Sequence, residues 1–254
     1  MSVKLSVEQG IAEVSLDHPP VNALDSQGWM KLAETITSLG SDDRVRVVIL
    51  AAKGRGFCAG VDIKELARDS SLITRVNKGC YDAFAAIHDS PLPVIAACHG
   101  FVLGGGIGLV GSCDIIVASD DATFGLPEID RGALGAASHL LRMFPIQKVR
   151  KMLYTGEPIT AAEAYRLGAL EAVVPSDELM PKAREIAQSI ASKSPRAMRL
   201  AKESLNGIEL LDIKRSYRFE QGFTLELYTS PDSQEAREAF VEKRDARFSD
   251  EDKD

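Results

Sequence analysis

Residues 93–125, PVIAACHGFVLGGGIGLVGSCDIIVASDDATFG, run from one apolar segment to another through a glycine-rich loop. "VIAAC" and "IIVAS" are of strand length and almost continuously apolar, as strands covered on both faces are. Between them Gly104, Gly105 and Gly106 stand in a row, with Gly108 and Gly111 close behind. Gly106-x-Gly108-x-x-Gly111 satisfies the letter of the dinucleotide-binding fingerprint, and Asp120 ends the following strand as a ribose-binding acid would. The spacing rejects that reading. From Gly111 to Asp114, where the next strand begins, there is room for about one helical turn, whereas the fingerprint needs a complete crossover helix. Nor does the chain hold a Gly-x-x-x-x-Gly-Lys-[Ser/Thr] loop for phosphoryl transfer. Two readings of the glycines remain. They let a short buried helix pack closely on its neighbours, or they clear side chains from a helix start so that backbone N–H groups reach a developing oxyanion. Two donors are needed to grip one oxygen well. A second glycine loop, residues 54–61, also follows directly on a buried strand, "VRVVILAA".

Outward from these loops, strands and helices alternate. Residues 3–7 and 11–16 are β-rich runs separated by "EQG", which predicts an antiparallel hairpin. A turn rich in Pro and Asn follows, then an N-cap at Asp25 or Ser26 and helical spacing up to Gly40. Residues 72–88 read as a helix and "DIIVASDDATFG" as two short strands. Beyond Ala133 the pattern is almost wholly helical, with "ITAAEAYRLG" ending in a glycine C-cap and a single short strand at "EAVVP". Alternation first and helices last define an α/β chain. It carries no internal repeat, low-complexity tract or linker.

At 254 residues and 45 % hydrophobic content the chain fills a proper core. Its 30 Lys and Arg against 37 Asp and Glu give a formal charge of −7, which is repelled by phosphate backbones and argues against nucleic acid. A phosphorylated small molecule still binds where cations and N–H groups are gathered locally. Residues 91–113, a long stretch without Asp, Glu, Lys or Arg, are broken by prolines, His99 and glycines, a poor membrane span. Residues 1–10 lack the basic start and apolar run of a secretory signal, so the cytoplasm is the expected compartment. Cys58, Cys80, Cys98 and Cys113 form no Cys-x-x-Cys pair and are expected to be reduced packing thiols.

"HPPVNAL", "GRGFCAGVDIKE", residues 93–129 and "REAFVEKRDARF" together resemble the crotonase, or enoyl-CoA hydratase/isomerase, family, over nearly the whole chain. The resemblance implies a crotonase-like α/β fold, of the ClpP/crotonase type: repeated ββα units spiral into two nearly perpendicular sheets, with a helical C-terminal region that trimerises. On this pattern residues 1–195 are the catalytic core, and 196–254 serve oligomerisation and coenzyme A contact. The partners implied are an acyl-CoA thioester and further copies of the chain, as a homotrimer or a dimer of trimers. No cofactor is implied, since coenzyme A is part of the substrate, and no metal. Carried over by position, the backbone N–H groups of Val61 and Gly105 are the oxyanion donors. Ala23, Ala59, Asp62 and Ile63 contact coenzyme A, and Lys243 meets a phosphate of it; on residues alone Lys243 reads equally as a solvated helix lysine.

Hydratases of this family use two glutamates. The second is Glu128, in "GLPEI"; at the place of the first stands Gly108, which neither takes nor gives a proton. Read alone, Glu128 is an acid that the helix dipole favours just after Pro127; the resemblance makes it the catalytic group. One carboxylate beside an oxyanion hole suits proton shuttling between carbons, or activation of water against a ketone with the enolate as leaving group. "GGGIGLVG", "ATFGLPEIDRGALGAASHL" and "SYRFEQGFTLEL" resemble the subgroup that hydrolytically opens a ring of steroid-derived CoA thioesters. Isomerase, hydratase and non-catalytic acyl-CoA-binding readings stand beside it. Arg131 and His139 are close enough in sequence to Glu128 to reach a pocket, His139 also reading as a packing residue. For His99 a structural hydrogen bond is expected, and Tyr217, Arg218, Glu220 and Gln221 are candidates for shaping specificity.

Overall fold

In the computed structural model, which describes residues 3–131, 135–209, 230–242 and 244–248, the strands flanking the glycine loop are neighbouring interior strands of a six-stranded sheet. Strand β1 (Val3–Glu8) and β2 (Ile11–Leu16) form the expected hairpin, Glu8 opposite Ile11. Each strand of the parallel run except the last is then followed by a short strand that leaves the sheet, and by helix. Thus β2 leads to β3 (Ala23–Leu24) and α1 (Ser26–Gly40); β4 (Val47–Ala52) to β5 (Gly60–Val61), α2 (Ile63–Arg68) and α3 (Ile73–His88). In turn β6 (Val94–Cys98) leads to β7 (Phe101–Leu103) and α4 (Gly105–Ser112); β8 (Ile115–Ser119) leads to β9 (Thr123–Gly125), a 3-10 turn at Pro127–Arg131 and α5 (Ala137–Met143). These are the repeated ββα units.

After them come α6 (Ile146–Thr155), β10 (Ile159–Thr160), α7 (Ala161–Arg166), β11 (Ala172–Val174), α8 (Leu179–Ala191), α9 (Pro195–Ile208) and α10 (Pro231–Glu242). The sheet order is β1-β2-β4-β6-β8-β11. The second layer is two pieces, β3-β5 and β10-β9-β7, joined by a bridge between Cys58 and Val102. Strands of two or three residues are too short to make one continuous sheet. The expectation of a single strand beyond Ala133 is corrected: β10 pairs antiparallel with β9 as well.

Alternation along β4 explains its apolar run. Val48 and Leu50 enter the main core with α1 and α3, while Val47, Ile49 and Ala51 pack with Leu179, Ala183 and Ala187 of α8 on the opposite face. Asp25, rather than Ser26, caps α1, its carboxylate accepting from Gly28 N at 2.7 Å. Gly106, Gly108 and Gly111 all lie inside α4, so none forms the strand-to-helix turn that a dinucleotide would need. Helix α9 is tied to the end of the sheet by buried Lys202. Its Nζ donates to Ile87 O at 3.1 Å, Leu92 O at 3.0 Å and Asp114 Oδ2 at 2.8 Å. The cysteines are free, as expected, and Cys58, Cys98 and Cys113 are buried. No helix among the described residues is long and apolar enough to cross a membrane.

Candidate active site

The two glycine loops converge. Gly60 has φ +92°, and a Cβ there would stand 3.0 Å from the amide nitrogen of Gly105 and 3.2 Å from Leu103 O. Only glycine lets the peptide leading into Val61 come so close to the start of α4. As the first residue of α4, Gly105 has an N–H with no partner inside the helix. Glu128 enters from the 3-10 turn: its Oε1 lies 2.7 Å from where a Cβ of Gly104 would stand, and 3.1 Å from that of Gly135. One carboxylate, one helix-start amide and the Gly60–Val61 backbone therefore share a cavity of about 400 Å³. Val61, Ile63, Leu66, Ile73, Cys80, Phe84 and Ala136 give it apolar walls, and Asn77 adds an amide.

Buried Asn22 holds the loop at residues 54–61 in place. With φ +52°, it accepts from His18 N at 2.8 Å and donates to Lys53 O at 2.8 Å and Gly56 O at 2.9 Å. His99 makes its expected structural bond, Nε2 lying 3.0 Å from Gly54 O. Helix α2 is clamped to α1, since Glu65 accepts from both Ser26 N and Ser26 Oγ at 2.8 Å. The sequence does not single out Asn22, Glu65, Asn77 or Phe84, and it marks Cys80 as a packing thiol without placing it in the wall. An Asn between Pro-Pro and an apolar run was the available signal for Asn22, because Asn tolerates the left-handed region.

Of the residues singled out from sequence, Val61, Gly105, Glu128, Ala59 and Ile63 line the cavity. Ala23 stands one strand behind, paired with Gly60. Asp62 caps α2 by accepting from Lys64 N at 2.9 Å. Gly108 is buried beneath Phe84, and His139 packs on the Phe84 ring, with centroids 4.7 Å apart, so that His139 is not part of the wall. Arg131 ends the 3-10 turn, and its side chain lies outside the described set. Lys243 and the group Tyr217, Arg218, Glu220 and Gln221 lie outside the described residues.

Burial shapes the titration of the groups around the cavity. It pushes the thiol of Cys80 up to about 12, with Cys58 adding to the rise, so this cavity thiol stays protonated at neutral pH. Burial lowers His139, and the like charges of Arg142 and His88 lower it further. Among the described residues no group of His, Cys, Asp and Glu is arranged to hold a metal ion.

A spiral of ββα units with a crevice between two glycine loops and a lone carboxylate defines the crotonase type of α/β protein. The chain belongs to the enoyl-CoA hydratase/isomerase family, whose sequence profile matches residues 6–251. It is 52 % identical over 235 residues to the (7aS)-7a-methyl-1,5-dioxo-2,3,5,6,7,7a-hexahydro-1H-indene-carboxyl-CoA hydrolase of Rhodococcus jostii, covering 92 % of this chain and 91 % of the relative. With the Mycobacterium tuberculosis protein of the same name it shares 49 % over 238 residues, covering 93 % and 96 %. The crystal structure of an enoyl-CoA hydratase from Bacillus anthracis superposes with a TM-score of 0.94 at 31 % identity, covering 99 % of this chain and 100 % of that one.

Proposed function

We propose that the protein opens a carbon ring of a steroid-derived, bicyclic β-keto acyl-CoA by adding water across a C–C bond. In this reading the thioester oxygen sits between the N–H groups of Val61 and Gly105. Glu128 takes a proton from water, whose oxygen attacks the ring ketone β to the thioester. The bond between that carbonyl carbon and the α-carbon breaks, and its electron pair passes to the α-carbon and the thioester oxygen as an enolate. The former ketone becomes a carboxylic acid, and Glu128 returns the proton to the α-carbon. Each backbone donor is worth about 3 kcal/mol at the transition state in a dry site.

The observation that carries this reading is the contact of the Glu128 carboxylate with Gly104, one residue from the Gly105 amide that Gly60 closely approaches. At the other acidic position of the hydratases there is backbone covered by a ring, so paired-acid hydration lacks its second group. The names of the two relatives supply the acyl group. Double-bond isomerisation also needs one acid, and is the second reading. The C-terminal helices are taken as the trimerising region, Lys243 as a phosphate contact and the cytoplasm as the compartment.

The test is mass spectrometry of products from short enoyl-CoA esters and bicyclic β-keto CoA thioesters in heavy-oxygen water. Label in a new carboxylate supports ring opening. Label in a hydroxyl, or an unlabelled shifted double bond, overturns it in favour of hydration or isomerisation.

A further inference from the structure

Gly105, Gly108 and Gly111 recur at every third position of α4 and so share one face of the helix, and each seats a ring-bearing residue. A Cβ on Gly105 would stand 2.8 Å from Cη2 of Trp29, and one on Gly111 would stand 2.7 Å from Cβ of His139. Between them, a Cβ on Gly108 would overlap Phe84, with Cε2 at 2.5 Å and Cε1 at 2.6 Å. The rings also meet one another edge to face, Trp29 and Phe84 with centroids 5.7 Å apart, Phe84 and His139 at 4.7 Å. Phe84 is therefore bounded by helix backbone and by a ring on either side. What it leaves open faces the cavity that holds Glu128.

The geometry points to Phe84 as the specificity-determining residue of the site, with Gly108 positioning it. The locked ring is the surface on which the ring carbons of a compact bicyclic acyl group pack beside Glu128. A short straight chain leaves it uncovered. This rests on the acyl-CoA reading above. A wall that cannot swing aside fixes the carbon skeleton relative to the acid and the amides, which a flexible side chain would not do.

The test compares wild type with Phe84→Ala, Phe84→Leu, Gly108→Ala and the double variant Phe84→Ala/Gly108→Ala. Dissociation constants are measured by calorimetry for a bicyclic diketo-acyl-CoA and for butyryl-CoA, with kcat and KM on the former. Phe84→Ala is expected to weaken the bicyclic ester about ten-fold or more, chiefly through KM, while butyryl-CoA changes less than about two-fold. Gly108→Ala, which must push the ring from its seat, shifts the same ratio. In the Phe84→Ala background it adds nothing further. Equal losses for both esters, or an unchanged ratio in Gly108→Ala, overturn the inference. If Gly108→Ala does not fold, the two Phe84 variants decide, Phe84→Leu falling between wild type and Phe84→Ala. A wild type that prefers the bicyclic ester yet releases no ring-opened acid removes the hydrolytic reading and leaves Phe84 in its role.

Discussion

Glu128 and Gly104 are interlocked: the carboxylate occupies the space that a side chain at residue 104 would need, its Oε1 2.7 Å from the absent Cβ. Gly104 also has φ +57°, in the region that L side chains rarely adopt. Gly104→Ala is expected to destabilise the fold by about 1–3 kcal/mol through backbone strain. It also displaces the acid, so kcat falls by about 100-fold or more in folded protein. Thermal melts and steady-state kinetics on one sample separate the two effects.

Glu128→Gln keeps the shape and removes the proton acceptor. Turnover falls by about 10²–10⁴-fold, while the dissociation constant for the CoA ester stays within about three-fold, because binding uses backbone and apolar wall. Retained turnover would remove Glu128 from the mechanism.

Asn22→Ala leaves the carbonyls of Lys53 and Gly56 without their shared donor and His18 N without its acceptor. The cost is about 1–3 kcal/mol for the buried groups left unmatched. As the loop also positions Val61, kcat is expected to fall more than stability alone explains. Urea denaturation with kinetics at a temperature where the variant is fully folded is the check.

Lys202→Met removes a buried cation from three acceptors and leaves the Asp114 carboxylate with Val94 N as its donor but no cation beside it. A loss of about 3 kcal/mol is expected, with part recovered in Lys202→Met/Asp114→Asn. Denaturant midpoints of the single and double variants measure it.

Acid should weaken the fold partly through His139, whose folded-state pKa lies below its ordinary 6.5. Above 6.5 the ring is neutral in both states, and its contribution to stability is complete. As the pH falls below 6.5 the unfolded chain takes the proton first, so stability drops until the lowered folded-state value is passed, where the loss levels off. His139→Phe should flatten this part of the curve. Unfolding free energies between pH 5 and pH 7.5 (about the range in which histidine titrates), with an NMR titration of the ring, provide the comparison.

Periodic burial made most of the framework legible in the sequence. The hairpin, α1, α3 and the runs of β4, β6, β8 and β11 all follow from how apolar residues repeat. The two-residue strands β3, β5 and β10 were invisible, because pairing at that length comes from what lies alongside and not from composition. In the site, Val61, Gly105 and Glu128 follow from likeness to a family, whereas nothing in the sequence singles out Phe84. An aromatic at helical spacing looks like any core residue until the glycine opposite it is seen. For His139 it is the packing reading that the structure matches: closeness in sequence to Glu128 does not bring it into the wall, and its ring stands against Phe84 instead.

The row of ring seats along α4 has a bearing on how this chain can change over generations. A side chain cannot be added at residue 105, 108 or 111 while Trp29, Phe84 and His139 stay where they are. A descendant that is to carry an acid at residue 108 must also move or give up the aromatic on the preceding helix, α3. Any step toward paired-acid chemistry at residue 108 therefore disturbs the wall beside Glu128 as well, which couples the one-acid site to the shape of its cavity.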